Sequence, residues 1–212
     1  MIEERVQYAR DNFFVEGFFA ENAVRYELKE KETSGQARLI LSIGTEDNIC
    51  VENYDKKQNC EYLSEKSGLK KAVDHFVLVK RQDYWELYLI EIKKTVDSDQ
   101  WTKIKYQMRS SYLNVRAITQ FLGISLADEH IYAYTAYGND CMDSKQTTNP
   151  RLLAPRLGER AIDPKKDEWD SGYINLPLVN SASGKILAKL HHKKIQMTRR
   201  NSNSQLEGTL PI

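Results

Sequence analysis

Apolar residues along this chain recur at two different periods, and the change between them outlines the fold. Between residues 98 and 122, Trp101, Ile104, Met108, Tyr112, Val115, Ile118 and Phe121 or Leu122 return every three or four positions. That spacing is one face of an α-helix. Ser98 or Asp97 can cap its first turn, and Gly123 supplies the stop. Just upstream, residues 72–80 (AVDHFVLVK) and 85–95 (WELYLIEIKKT) are dense in β-branched and aromatic residues and are separated by the polar RQDY. They predict two strands joined as a hairpin. Residues 37–43 (ARLILSI) and 129–136 (EHIYAYTA) predict further strands, and 47–52 a partner strand. Residues 3–14 and 16–31, rich in Glu, Arg, Ala and Leu, predict two helices parted at Gly17.

Elsewhere the pattern is thinner. Residues 53–70 are polar and Lys-rich, with a short helix expected near 60–66. Residues 138–170 are loop-like, with a short helix near 150–158. Residues 172–178 and 184–196 predict a final pair of strands, or a strand and a helix. From Asn201 to Ile212 the chain offers Ser, Asn, Gly and Pro with little to bury, and a disordered tail is expected. The order helix, strand, hairpin, helix, strand predicts an α/β fold with a central mixed β-sheet flanked by helices. At 212 residues the length suits one domain, over residues 1–200.

Composition narrows the setting. No apolar run reaches the ~18 residues of a membrane span. The opening MIEERVQYARDNFF is charged from Glu3 onward and lacks the apolar core of a signal peptide, so a cytoplasmic location is expected. Cys50, Cys60 and Cys141 form an odd set without CxxC spacing. That argues against a disulfide framework and against zinc. A Cys50/Cys60/His75 metal site is the alternative to reduced, partly buried thiols. The net charge of +1 decides nothing, but its distribution is uneven. Residues 1–33 carry eight acids against five basic residues, whereas 183–200 (SGKILAKLHHKKIQMTRR) carry six Lys or Arg and no acid. Such a cluster can read a phosphate backbone, and it is equally what a solvated tail looks like.

The candidate chemistry lies on the hairpin. Alternation puts Leu87, Leu89, Glu91 and Lys93 on one face of the second strand and Tyr88, Ile90, Ile92 and Lys94 on the other. The strand is apolar on both faces at its centre, as a covered strand should be. A carboxylate and an ammonium therefore emerge at the end of a buried strand. Asp74 sits at the start of the first strand, among Val73, Phe76 and Val77, where an acid is costly unless paired. In an antiparallel hairpin the start of one strand adjoins the end of the other, so Asp74 and Glu91 should be neighbours. The bland alternatives are a turn cap for Asp74 and cross-strand ion pairing for Glu91 and Lys93.

Two adjacent carboxylates repel unless a cation lies between them. Mg²⁺, with Mn²⁺ able to substitute, suits oxygen ligands and one or two carboxylates. The Ile92 carbonyl could add a ligand. Lys93 could position an attacking water or neutralise a phosphate in its transition state. That set suits phosphodiester hydrolysis and not acyl transfer. His75, one residue past Asp74, points to the opposite face and reads as a structural histidine. No ATP-binding G-x-x-x-x-G-K-[ST] motif occurs.

The run Asp74-x16-Glu91-Ile92-Lys93 resembles the motif of the PD-(D/E)xK nuclease superfamily, with Val73 standing where a proline often precedes the acid. The likeness covers about residues 14–137, leaving 138–200 as a C-terminal extension. It implies a restriction-endonuclease-like core and a metal-dependent nuclease, most simply a DNA endonuclease of restriction, phage defence or repair. A non-catalytic relative that binds nucleic acid or a partner protein is the alternative. Gly17-Phe18-Phe19-Ala20-Glu21 looks like the acid-bearing helical element of that family, which makes Glu21 a third metal ligand. The helix after the E-x-K strand would bring Lys105 and Gln107 toward substrate. DNA is favoured over RNA, and a homodimer or larger complex is implied.

Overall fold

The computed structural model describes residues 4–32, 35–57, 63–64, 68–142, 163–178, 185–199 and 205–212. Its centre is a six-stranded mixed sheet in the order β3-β4-β5-β6-β8-β7. These strands are β3 (Asn48–Val51), β4 (His75–Lys80), β5 (Trp85–Val96), β6 (Ile131–Asp140), β7 (Tyr173–Pro177) and β8 (Ile186–Gln196). β4 runs antiparallel to β3 and β5, β6 and β8 run parallel to β5, and β7 closes the far edge antiparallel. The long helix α3 (Ser98–Phe121) carries the chain from β5 to its parallel neighbour β6. Asp97 caps it, accepting from the N–H groups of Asp99 and Gln100, and Gly123 ends it at φ +69°.

A second sheet of four strands, β1-β2-β10-β9, lies against the other face. It consists of β1 (Arg25–Glu32), β2 (Gly35–Ser42), β9 (Thr198–Arg199) and β10 (Leu206–Pro211). The result is three layers, helix over sheet over sheet. This explains why β5 is apolar on both sides. Leu87 and Leu89 enter the core shared with Trp101, Ile104, Met108 and Val115 of α3. Tyr88, Ile90 and Ile92 enter a separate core with Leu28, Leu39, Leu41 and Leu210 of the second sheet. On the helical side, α1 (Glu4–Phe13) adds Val6 and Ala9. Where β6 crosses β5 the backbones approach closely: a Cβ on Gly138 would lie 2.8 Å from the Lys94 carbonyl oxygen.

The expected α/β class holds, as do the hairpin, the long helix with its cap and stop, and the strands near 37–43, 47–52 and 129–136. Two expectations fail. Residues 16–31 are not a helix: an irregular stretch leads into β1. In Arg25–Glu32 the apolar Tyr26 and Leu28 alternate with charged residues, and this two-residue period prevails over helix-favouring composition because both side chains are buried. Nor is the described part of the tail, 205–212, disordered. β10 pairs parallel to β2 and antiparallel to β9, burying Leu206 and Leu210.

Residues 172–178 and 184–196 resolve as a pair of strands, and a short helix α4 (Pro164–Asp170) precedes them. Asp163 caps α4 and proline opens it, a start signal that is legible in retrospect. The helix expected near 150–158, and most of that expected near 60–66, lie outside the described residues, as does Cys60. Between β3 and β4, Tyr54–Lys57 form the one-turn helix α2. Among the described residues no helix is long and apolar enough to cross a membrane.

Candidate active site

The site forms because two paired strands end at different places. β4 begins at His75, while β5 runs on to Val96. Register pairs His75 with Ile90, so Asp74 stands opposite Glu91 just where the ladder stops. The two acids interlock through the backbone. The Asp74 N–H donates to Glu91 Oε2 at 3.2 Å, and the Ile92 N–H donates to Asp74 Oδ2 at 2.7 Å. A strand residue directs its N–H and C=O to the same edge. The Ile92 carbonyl therefore faces the side on which Asp74 lies.

The helix α3 supplies the other half of the positioning. Its Ser110 hydroxyl donates to the Leu69 carbonyl at 2.5 Å, and Asn114 donates to the same oxygen at 3.2 Å. Gln107 Nε2 donates to the Ala72 carbonyl at 3.1 Å, and Ser111 Oγ accepts the Val73 N–H at 2.9 Å. Four polar side chains thus hold the backbone that delivers Asp74. Sequence reasoning passed over Ser110, Ser111 and Asn114. Two adjacent serines inside an otherwise apolar helical pattern were the available signal.

Glu91 is completely buried. Lys93 Nζ lies 2.6 Å from its Oε1 and 3.7 Å from Glu30 Oε1. Lys93 is thereby the charged partner of this buried oxygen. Burial, and next the negative charge of Asp74, push the Glu91 carboxyl well above the usual carboxylate range. Burial alone would pull Lys93 down, but Glu91 and Asp74 outweigh it and hold the ammonium above its ordinary value. Lys93 is thus the cation that makes a buried carboxylate tolerable. Glu30, on β1, is a contributor that the helical reading of 16–31 concealed: on a strand it shares a face with Leu28, turned toward the central sheet.

Beside this group opens a cleft of about 370 Å³ lined by Lys70, Lys71, Lys93 and Lys103, with Gln100 and Gln107 on its wall and Asp55 adding one carboxylate. Of the residues expected to meet substrate, Gln107 is here. Lys105 is elsewhere: it pairs with Glu168 of α4 at 2.6 Å. Glu21 is exposed on the irregular stretch before β1. Among the described residues no group of three or more His, Cys, Asp or Glu is placed to hold a metal.

The remaining candidates are structural. His75 Nδ1 accepts the Asn53 N–H at 3.2 Å, and burial, with Lys56 and Lys57 nearby, lowers the ring's pKa to about 3. It is neutral near pH 7. Cys50 is buried against the second sheet, and burial pushes its thiol up, which disfavours a thiolate ligand. His192 bonds Thr135 Oγ1 at 3.0 Å and packs against Trp101 and Trp169. Comparison with protein-family models, with curated proteins and with solved structures gives no match.

Proposed function

We propose that this chain is a Mg²⁺-dependent nuclease of the restriction-endonuclease-like kind, with Asp74, Glu91 and Lys93 at its centre. The observation that carries the reading is the interlocked Asp74–Glu91 pair, with Lys93 beside it, at the mouth of a lysine-lined cleft. The succession β4, β5, α3, β6 in the central sheet supports it further. It puts the acid at the start of one strand and E-x-K at the end of its antiparallel neighbour.

The donors suit a hard cation. They are two adjacent carboxylates and a backbone carbonyl on the same edge. Asp74, Glu91 and the Ile92 carbonyl would hold the ion, which when bound polarises phosphate and lowers the pKa of water. Lys93, whose Nζ lies 2.6 Å from Glu91 Oε1, would act as a positive donor to water or to the phosphate. Lys70, Lys71, Lys103 and Gln107 would hold flanking phosphates and sugars. DNA cleaved internally, in restriction, phage defence or repair, is the preferred substrate. Action as a homodimer or within a larger complex belongs to the same proposal.

The Lys93 ammonium, 2.6 Å from Glu91 Oε1, already pairs the carboxylate that a metal would take, and this favours a second reading. In it the fold binds nucleic acid or a partner protein without cutting. A cleavage panel separates the two. Plasmid, linear and single-stranded DNA and RNA are incubated with Mg²⁺, Mn²⁺ or EDTA. Metal-dependent scission supports the nuclease, and the panel names its substrate. Binding without scission of any substrate supports the second reading. Glu21→Ala and Glu30→Ala, run alongside, test each acid as a further ligand.

A further inference from the structure

The basic cluster at residues 183–200 is divided by strand alternation. Lys194 turns to the helical side, where it pairs with Asp170 at 2.6 Å. Lys189, His191 and Lys193 emerge on the opposite face of β8, and all three are exposed. On that face the register aligns one ring from each of four strands: Tyr88 of β5 beside Tyr132 of β6, Tyr132 beside His191 of β8, and His191 beside Tyr173 of β7. The ring centroids are spaced 5.3, 6.1 and 4.8 Å along this row.

One end of the row is anchored. Tyr88 is buried, with its hydroxyl donating to Glu86 and accepting from Arg81. The other end is open: Tyr173 lies on the edge strand and is 37 % exposed. The second sheet covers β4, β5, the Ile195 end of β8 and part of Tyr132 on β6, while Tyr173 is not packed against its core and His191 is exposed. Two ammonium groups flank the rings. Lys189 Nζ lies 4.4 Å over Tyr173, and Lys193 Nζ 5.8 Å from the Tyr134 ring centre. Neither lysine has an acidic partner among the described residues.

The row is covered at its Tyr88 end and uncovered at Tyr173, and Lys189 lies over the ring at the uncovered end. Aromatic faces that bases can extend, bordered by cations that accept phosphate, are the elements of single-strand recognition. A duplex hides its base faces, and an acidic peptide would leave the rings unused. We propose that the open half of the six-stranded sheet, across Tyr132, His191 and Tyr173, is a stacking platform for single-stranded nucleic acid, with Lys189 and Lys193 taking its phosphates. Tyr88 and Glu91 have opposite parity on β5, so this surface lies on the other face of the sheet from the carboxylate pair.

The test is fluorescence anisotropy with labelled oligothymidylate and oligouridylate of about 15 nucleotides, and with a duplex of similar length. It is run in EDTA, so the result does not depend on cleavage. The wild-type chain should bind the single strands, and any duplex held by the lysine-lined cleft on the other face should be insensitive to the ring variants. Tyr173→Leu and His191→Leu, which keep bulk but remove the π-face, should each weaken binding about tenfold. Tyr173→Phe should stay within about twofold of wild type. Lys189→Gln with Lys193→Gln should reduce the slope of log affinity against log salt by about 1.4. Thermal melts identify any variant that loses its fold, and His191→Leu, at an exposed position, then carries the decision. Failure to bind single strands, wild-type affinity in the folded leucine variants, or equal weakening of duplex binding by those variants would overturn the proposal. A chain that binds in this way but cuts nothing would instead refute the nuclease reading alone.

Discussion

Replacing Lys93 with methionine keeps most of the side-chain volume and removes the charge that faces a fully buried carboxylate. At 2.6 Å and an effective dielectric of about 20, the gross attraction is ~6 kcal/mol. The net loss is smaller, because Glu91 can take up a proton instead of standing as an unpaired charge. That escape costs about 1.4 kcal/mol for each pH unit above the unfolded carboxyl pKa of about 4.3. The sign follows. A carboxyl whose folded pKa is raised binds more protons folded than unfolded, so stability falls as pH rises above the unfolded value. Lys93→Met raises the folded pKa of Glu91 further. Its deficit against wild type should then be small below the wild-type Glu91 pKa and grow by about 1.4 kcal/mol per pH unit above it, until the variant's own Glu91 ionises. The raised pKa of Lys93 adds no slope here, since its own stabilisation is lost only well above this window. Urea denaturation in EDTA at several pH values measures this directly. Glu91→Gln combined with Lys93→Met should flatten the profile. A deficit independent of pH would refute the claim that Lys93 compensates a buried charge.

Three other outcomes follow from the same geometry. Mg²⁺ at about 100 times its Kd should stabilise the wild-type chain by about 2.7 kcal/mol, seen as a higher Tm. That rise should vanish in Asp74→Ala, whereas an equal rise in both would remove Asp74 from the metal. Ser111→Ala leaves the Val73 N–H without its acceptor, and should cost about 1–3 kcal/mol while lowering kcat more than it raises KM, because Asp74 loses its tether. Leu210→Ala, in the strand that pairs with β2, should cost about 2–5 kcal/mol in denaturant. A neutral result would mean that the C-terminal segment does not contribute to the core.

The chemistry was legible in the sequence because it lies in a short-range unit. Asp74 and Glu91 are joined by one hairpin, and the alternation of β5 sets which side chains share a face, so neighbourhood followed from spacing alone. The long helix was legible for a similar reason, since its apolar period continues from Trp101 to Leu122. What sequence reasoning lost depends on distant partners. Glu30 reaches Lys93 only because β1 folds over the central sheet, and its helix-favouring neighbours concealed a strand. Leu206 and Leu210 have too little local pattern to announce β10, which exists because β2 offers an unpaired edge. Lys105 and Lys103 are two residues apart on one helix, yet one faces α4 and the other the cleft. Helical periodicity could not choose between them without knowing which face the cleft adjoins.

The most direct test of the central claim compares wild type, Glu91→Ala and Lys93→Ala on whichever nucleic acid the panel shows to be cut. The three are matched for folding by thermal melts, with Mg²⁺ and with EDTA. The account predicts scission by wild type in Mg²⁺ only, and none by either folded variant. Scission by folded Glu91→Ala at the wild-type rate, or by wild type in EDTA, would contradict it.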